Sequence, residues 1–227
     1  GHGRYTLKIL LITEPRTGSN MVHRSIMLYN CETPYSDTIP TREPFNKWKK
    51  SIYEFGEKSN NLEQNKRDFW DYLSNKKSWT VKTHTEQFKD AIRDHALLYK
   101  IADCVVYLQR KDKVAQIISR AVSQQIKNWW NVDIQNLKIE HKHIVDCVNK
   151  QMHDDIVREC IPRDIDLYYE DSLDPKLVWQ NVSGIAQTVL PKRQLPDDDL
   201  MPKRSKVTID NLDYVVSTIK TLYKAEQ

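Results

Sequence analysis

Two short stretches of the chain, Leu7 to Thr13 and Cys104 to Gln109, are almost wholly apolar. That is the pattern of parallel strands buried on both faces. Shorter apolar runs at Trp79 to Thr83 and Ile165 to Glu170 predict two further strands. Between them the apolar positions recur at helical spacing. Helices are predicted over Met21 to Tyr29, with Ser19 or Asn20 suited to cap it, and over Phe88 to Tyr99, Lys113 to Trp130 and Leu137 to Glu159. Two more follow over Leu177 to Leu190 and Ile209 to Ala225. In the Leu137 to Glu159 segment Ile144, Val148, Met152 and Ile156 fall on one face. Phe45, Trp48, Ile52 and Phe55, and then Leu62, Phe69 and Leu73, also recur at helical spacing.

Pro34, Pro40 and Pro44 mark an irregular loop, and the stretch from Pro191 to Lys206 is rich in proline and lysine. Strands alternating with helices predict an α/β fold: a P-loop-like parallel sheet with helices on both faces. No internal repeat is visible.

Composition narrows this picture. The chain has 227 residues, 39% hydrophobic and 29% charged, which fits one globular domain rather than a disordered chain. The start, Gly1-His2-Gly3, carries no methionine and reads as an expression remnant, so a single domain over residues 4–227 is expected; whether a native segment precedes it is left open. A net charge of +4 allows a local basic pocket but does not argue for nucleic acid. No apolar run approaches the roughly 18 residues of a membrane span. Cys31, Cys104, Cys147 and Cys160 are scattered without a C-x-x-C pair, which suggests free thiols in a reducing, cytoplasmic-type compartment.

The candidate chemistry begins in "EPRTGSNM", Glu14 to Met21, a polar turn between the first strand and the first helix. Such a turn aims backbone N–H groups and the positive end of a helix dipole at one spot, which suits phosphate or sulfate. Gly18 permits close approach, Thr17, Ser19 and Asn20 add donors, and Arg16 adds a forked permanent charge. By itself the turn also fits an ordinary connection with a solvated arginine. Only Gly18 lies inside it and no lysine follows, so neither G-x-x-x-x-G-K-[ST] nor G-x-G-x-x-G can be drawn.

A second constellation, "RKDKVAQIIS", follows the Cys104 to Gln109 strand. Arg110 leaves the strand end, where α/β proteins place ligand groups, and Ser119 can face back towards it from the next helix. Together they would fit another phosphate. The simpler reading is a solvated helix start capped by Asp112.

Taken together, these motifs resemble those of the sulfotransferases that use 3′-phosphoadenosine 5′-phosphosulfate (PAPS). "EPRTGSNM" resembles their 5′-phosphosulfate loop, and Arg110-x-Asp112-x-x-x-Gln116-x-x-Ser119 resembles the 3′-phosphate motif of the bacterial trehalose sulfotransferase type. "IDLYYEDSLDPKLVWQNV" is similar to the late strand and helix of that superfamily. The likeness runs from Leu7 to about Tyr223 and is weakest between Thr41 and Ser78. It implies that Arg16, Thr17, Gly18, Ser19 and Asn20 hold the 5′-phosphosulfate, and that Arg110 and Ser119 hold the 3′-phosphate. Lys203 and Arg204, with Lys206, sit in "MPKRSK", where relatives bring late basic residues to the same phosphate; a solvated loop is the simpler reading of each.

Transfer to a hydroxyl also needs a base. "VKTHTEQF" resembles the Lys-Thr-His strand end of cytosolic sulfotransferases, which implies His84 as base and Lys82 at the sulfuryl group. The trehalose type uses a glutamate shortly after its first helix, where this chain has "CETPYSD" with Glu32 and, less well placed, Asp37. The order of expectation is His84, then Glu32, then Asp37, with Arg16 and Lys82 stabilising transferred charge. The implied acceptor is a hydroxyl-bearing glycan or other small molecule, and no metal-ligand set is evident. Two other classes stay open: a kinase with a degenerate phosphate loop, and a non-catalytic module that binds sulfated or phosphorylated ligands.

Overall fold

A computed structural model describes residues 7–30, 43, 62–87, 92–128, 133–183 and 206–223. Its centre is a four-stranded parallel sheet formed by β1 (Lys8–Thr13), β2 (Trp79–His84), β3 (Cys104–Gln109) and β5 (Ile165–Tyr168), in the order β2-β1-β3-β5. The α/β class and the parallel sheet expected from the strand patterns are therefore present.

β1 explains why its sequence is so apolar. It pairs with β2 on one side and β3 on the other, and Ile9, Leu10, Leu11 and Ile12 are all fully buried. Alternate side chains serve opposite faces. Leu10 and Ile12 join Val81, Val105 and Tyr107 beneath Phe69 and Leu73 of α2 (Leu62–Asn75) and Leu98 of α3 (Ile92–Ile101). Ile9 and Leu11 join Val106, Leu108 and Leu167 beneath Met21, Val22 and Ile26 of α1 (Ser19–Asn30) and Val178, Trp179 and Val182 of α6 (Pro175–Ser183). Helices thus cover both faces, and the Phe69 and Leu73 periodicity marks a real helix.

A third cluster lies beside the sheet. There α4 (Lys113–Gln125), α5 (His141–Cys160) and α7 (Leu212–Leu222) pack Ile117, Ala121, Ile144, Cys147, Val148, Val215 and Ile219 together. Two short strands, β4 (Asp133–Leu137) and β6 (Lys206–Ile209), pair in parallel at its edge.

These two strands correct the sequence reading. The segment before α5 was expected to turn helical at Leu137, but α5 starts at His141, and α4 ends at Gln125 rather than near Trp130. Likewise Ile209, expected to open the last helix, closes β6, and that helix begins at Leu212. The apolar stripe of α5 divides as well: Ile144 and Val148 are buried, whereas Met152 and Ile156 are exposed. Towards its C-terminus α5 contributes polar contacts beneath the sheet instead. Among the described residues no helix is long and apolar enough to cross a membrane.

Candidate functional site

The strand order reverses between β1 and β3, because the chain steps from β1 out to β2 and then returns past β1 to β3. In open parallel sheets the crevice beyond the C-terminal strand ends at such a reversal is where ligands bind. The expected phosphate loop leaves β1 at this point.

The loop is closed locally. The Thr17 hydroxyl donates to the Glu14 carbonyl at 2.7 Å, and Val22 N–H donates to the Gly18 carbonyl at 3.1 Å to begin α1. Ser19, Asn20 and Met21 therefore form the first turn of α1, whose N–H groups an α-helix leaves without intrahelical acceptors. Arg16 (φ 63°) and Gly18 (φ 69°) both have left-handed backbones. For Gly18 this costs little, and there is a second reason for a glycine: an added Cβ would lie 2.8 Å and 2.9 Å from ring carbons of Tyr169. For Arg16 the conformation is unfavourable and is held by its surroundings.

Arg16 turns towards the end of β3. Its Nε donates to the Ser119 hydroxyl of α4 at 2.8 Å. Burial first, and then the nearby charge of Arg110, hold its guanidinium below the usual range, although an arginine stays charged at neutral pH. Arg110 lies over the Tyr169 ring at 4.8 Å, and its buried Nε has no hydrogen-bond partner among the described residues. The Glu170 carboxylate lies 3.9 Å from it. That carboxylate is engaged elsewhere, accepting from the backbone N–H groups of Lys111 and Asp112 at 3.0 and 3.1 Å. Ser119 was expected to serve the same group as Arg110; its hydroxyl also accepts from Arg16, which draws the two motifs into one cluster. Asp112 caps α4, accepting from Ala115 N–H at 2.9 Å.

The root of the loop is pinned by a residue whose burial the sequence did not reveal. Glu14 is fully buried. Its carboxylate accepts from Lys113 at 2.8 Å, Arg158 at 2.9 Å, Gln116 and Tyr107 at 3.1 Å, and Gln151 at 3.2 Å. Burial alone would raise its pKa, but the Lys113 and Arg158 charges with these hydrogen bonds hold it below the usual carboxylate value. Gln116 also donates to the Pro15 carbonyl at 2.9 Å, so one side chain of α4 holds two points of the loop.

On the other side of β1, the register places Thr13 beside His84 at the end of β2. Thr13 Oγ1 lies 2.7 Å from His84 Nδ1. Lys82, buried in spite of its charge, donates to Asn20 Oδ1 in the first turn of α1 and lies 3.5 Å from Ser19 Oγ. Both side chains meet Glu43: His84 Nε2 contacts its Oε1, and Lys82 Nζ lies 3.7 Å from the same oxygen. Glu43 was not among the expected site residues. It falls in the proline-rich stretch, where no periodicity or motif marked it.

Arg16, Thr17, Gly18, Ser19, Asn20, Lys82, His84, Arg110 and Ser119 are thus gathered along the C-terminal ends of β1, β2 and β3. Glu32, Asp37, Lys203 and Arg204 lie outside the described residues, and Lys206 is the exposed first residue of β6. No family model matches the chain, and no curated protein matches it significantly.

Proposed function

We propose that the protein transfers a sulfuryl group from PAPS to a hydroxyl of a glycan or other small molecule. One observation carries this reading: Arg16 and Arg110, from the ends of the two strands where the order reverses, share a partly buried cluster with Ser119. Burying arginine donors is costly unless an acceptor such as an anion meets them. The unsatisfied Nε of Arg110 is a donor such an anion would use. A donor with phosphate groups at two positions suits a site with two arginines and a helix N-terminus.

In this reading Arg110 and Ser119 bind the 3′-phosphate, with Arg16 between them and the 5′-phosphosulfate. Thr17 to Asn20 and the first turn of α1 hold the 5′-phosphosulfate. Lys82 sits where charge builds on the transferring oxygens, and the Thr13–His84–Glu43 group faces the incoming hydroxyl. The nucleotide carries the leaving group; the chain's own part is to align the reactants and stabilise charge.

The test is a thermal-shift comparison of 3′-phosphoadenosine 5′-phosphate, AMP and ATP. The 3′-phosphorylated nucleotide is expected to raise Tm clearly more than the other two, and Arg110→Ala is expected to reduce its shift to that of AMP. Equal shifts from all three in the wild-type protein would refute the assignment.

A further inference from the structure

Arg110, Lys111 and Asp112 connect β3 to α4, and the backbone of this connection sets where the Arg110 side chain points. The short helical turn that follows β5, Tyr169–Asp171, meets the connection residue by residue. The Tyr169 ring lies against the Arg110 guanidinium at 4.8 Å. Glu170 Oε2 accepts from Lys111 N–H at 3.0 Å, and its Oε1 accepts from Asp112 N–H at 3.1 Å. Asp171 Oδ2 accepts from Lys111 Nζ at 2.7 Å. That last contact joins two side chains that are each more than half exposed, and it adds little. The Glu170 bonds are of another kind. They run from a carboxylate to main-chain N–H groups, and they fix the two peptide units that follow the Arg110 Cα. The same turn reaches the other half of the site, since the Tyr169 ring is what a side chain at position 18 would strike.

A glutamate beside an arginine ordinarily pairs with it, often through two parallel bonds. Glu170 does not. It stands 3.9 Å from Arg110 Nε, and that buried nitrogen has no hydrogen-bond partner among the described residues. Both carboxylate oxygens are turned to the backbone of Lys111 and Asp112 instead. Burial raises the Glu170 pKa, but those backbone N–H groups outweigh it and hold the carboxyl below its ordinary value. It is therefore ionised at neutral pH. Two effects on an anion at Arg110 then oppose each other: the Glu170 charge repels it, while the Glu170 bonds hold the arginine donor in place for it. The carboxylate is 32% exposed, so solvent and salt weaken the repulsion. A well-aimed, charge-assisted bond from a buried donor is weakened far less. Positioning is the larger effect.

We propose that Glu170 is a positioning residue: by holding the connection after β3 it aims Arg110 at the 3′-phosphate, and so sets the preference for a 3′-phosphorylated nucleotide. The proposal rests on the sulfuryl-transfer reading and concerns only how the donor nucleotide is bound.

Calorimetry on the full chain, with 3′-phosphoadenosine 5′-phosphate and AMP as the two ligands, tests this. Glu170→Ala is expected to weaken binding of the first about tenfold, the size of one hydrogen bond to a charged group, and to leave AMP affinity as in the wild-type protein. Glu170→Gln, whose carbonyl oxygen still accepts one N–H, should lose less. In an Arg110→Ala background the same substitutions should change neither affinity, because no guanidinium is left to aim. An equal loss for both nucleotides would mark a merely structural role, and tighter binding would mark repulsion as the larger effect. Either result overturns the proposal, as does unchanged binding or a loss that persists without Arg110. Should Glu170→Ala fail to fold, judged by urea unfolding, Glu170→Gln decides the same question. A wild-type protein that binds the two nucleotides equally is a separate failure: it refutes the cofactor reading, and this role falls with it.

Discussion

Gly18 carries two constraints that can be separated by experiment. A substituted residue there must adopt a left-handed backbone and must also displace the Tyr169 ring. The backbone part costs about 1–2 kcal/mol for an L-residue, and the contact part adds to it. Gly18→Ala is therefore expected to destabilise the protein, measured by urea unfolding, and the loss should shrink but not vanish in a Tyr169→Ala background. An unchanged loss would show that the ring contact is unimportant. The setting of Arg16, Gly18 and Arg110 could be read from sequence because each sits within a few positions of a strand end, where local order alone dictates it; Ser119 lies inside α4, and its contact with Arg16 was not foreseen. Glu43 could not, because its place depends on contacts with Lys82 and His84, about 40 positions further along. Glu14 was visible as a residue of the loop, but its burial depends on charges that arrive from α4 and α5.

At the scale of elements, α5 shows how a helix without a continuous apolar face stays attached. Below Val148 its inward positions are Gln151, Asp154 and Arg158, which reach Glu14, Arg120 and Thr85. Breaking a buried ion pair by removing one partner costs about 3–5 kcal/mol. Glu14→Gln is expected to cost that order of stability at pH 7. The Glu14 carboxyl lies below its ordinary value of 4.5, so its contribution is complete above that pH and drains away as pH falls through the depressed value. Wild type and Glu14→Gln should consequently converge in urea unfolding at low pH and diverge at neutral pH; a constant gap would argue against an ionised Glu14. The same substitution of polar contacts for apolar ones explains why the period of α5 overstated its buried face. It also explains the two missed strands. β6 alternates exposed and half-buried residues, and β4 does so with an irregularity between Ile134 and Leu137; both are too short and too polar to stand out from the helices beside them.

For the whole molecule, the order β2-β1-β3-β5 followed from four apolar strands whose character was plain in the sequence, although their order was not. What sequence patterns could not supply was the closing contact between middle and end of the chain. Asn136 N–H donates to the Thr208 hydroxyl at 2.8 Å, and Asn211 accepts from Ile139 N–H at 3.0 Å, each across 72 positions. A loop of that length adds little to the equilibrium cost of closure, since the entropy grows only with the logarithm of length. Its kinetic consequence is larger, because distant parallel pairing slows folding. The central sheet can assemble before residues 206–223 arrive, and α7 then docks onto Val215 and Ile219's partners in α4 and α5 as a late step. Pulse-labelled hydrogen exchange during refolding should find the amides of β1 and β3 protected before those of α7. Simultaneous protection would mean that the two ends of the chain commit together, and that the turn after β1 is never formed before the C-terminal helix has docked.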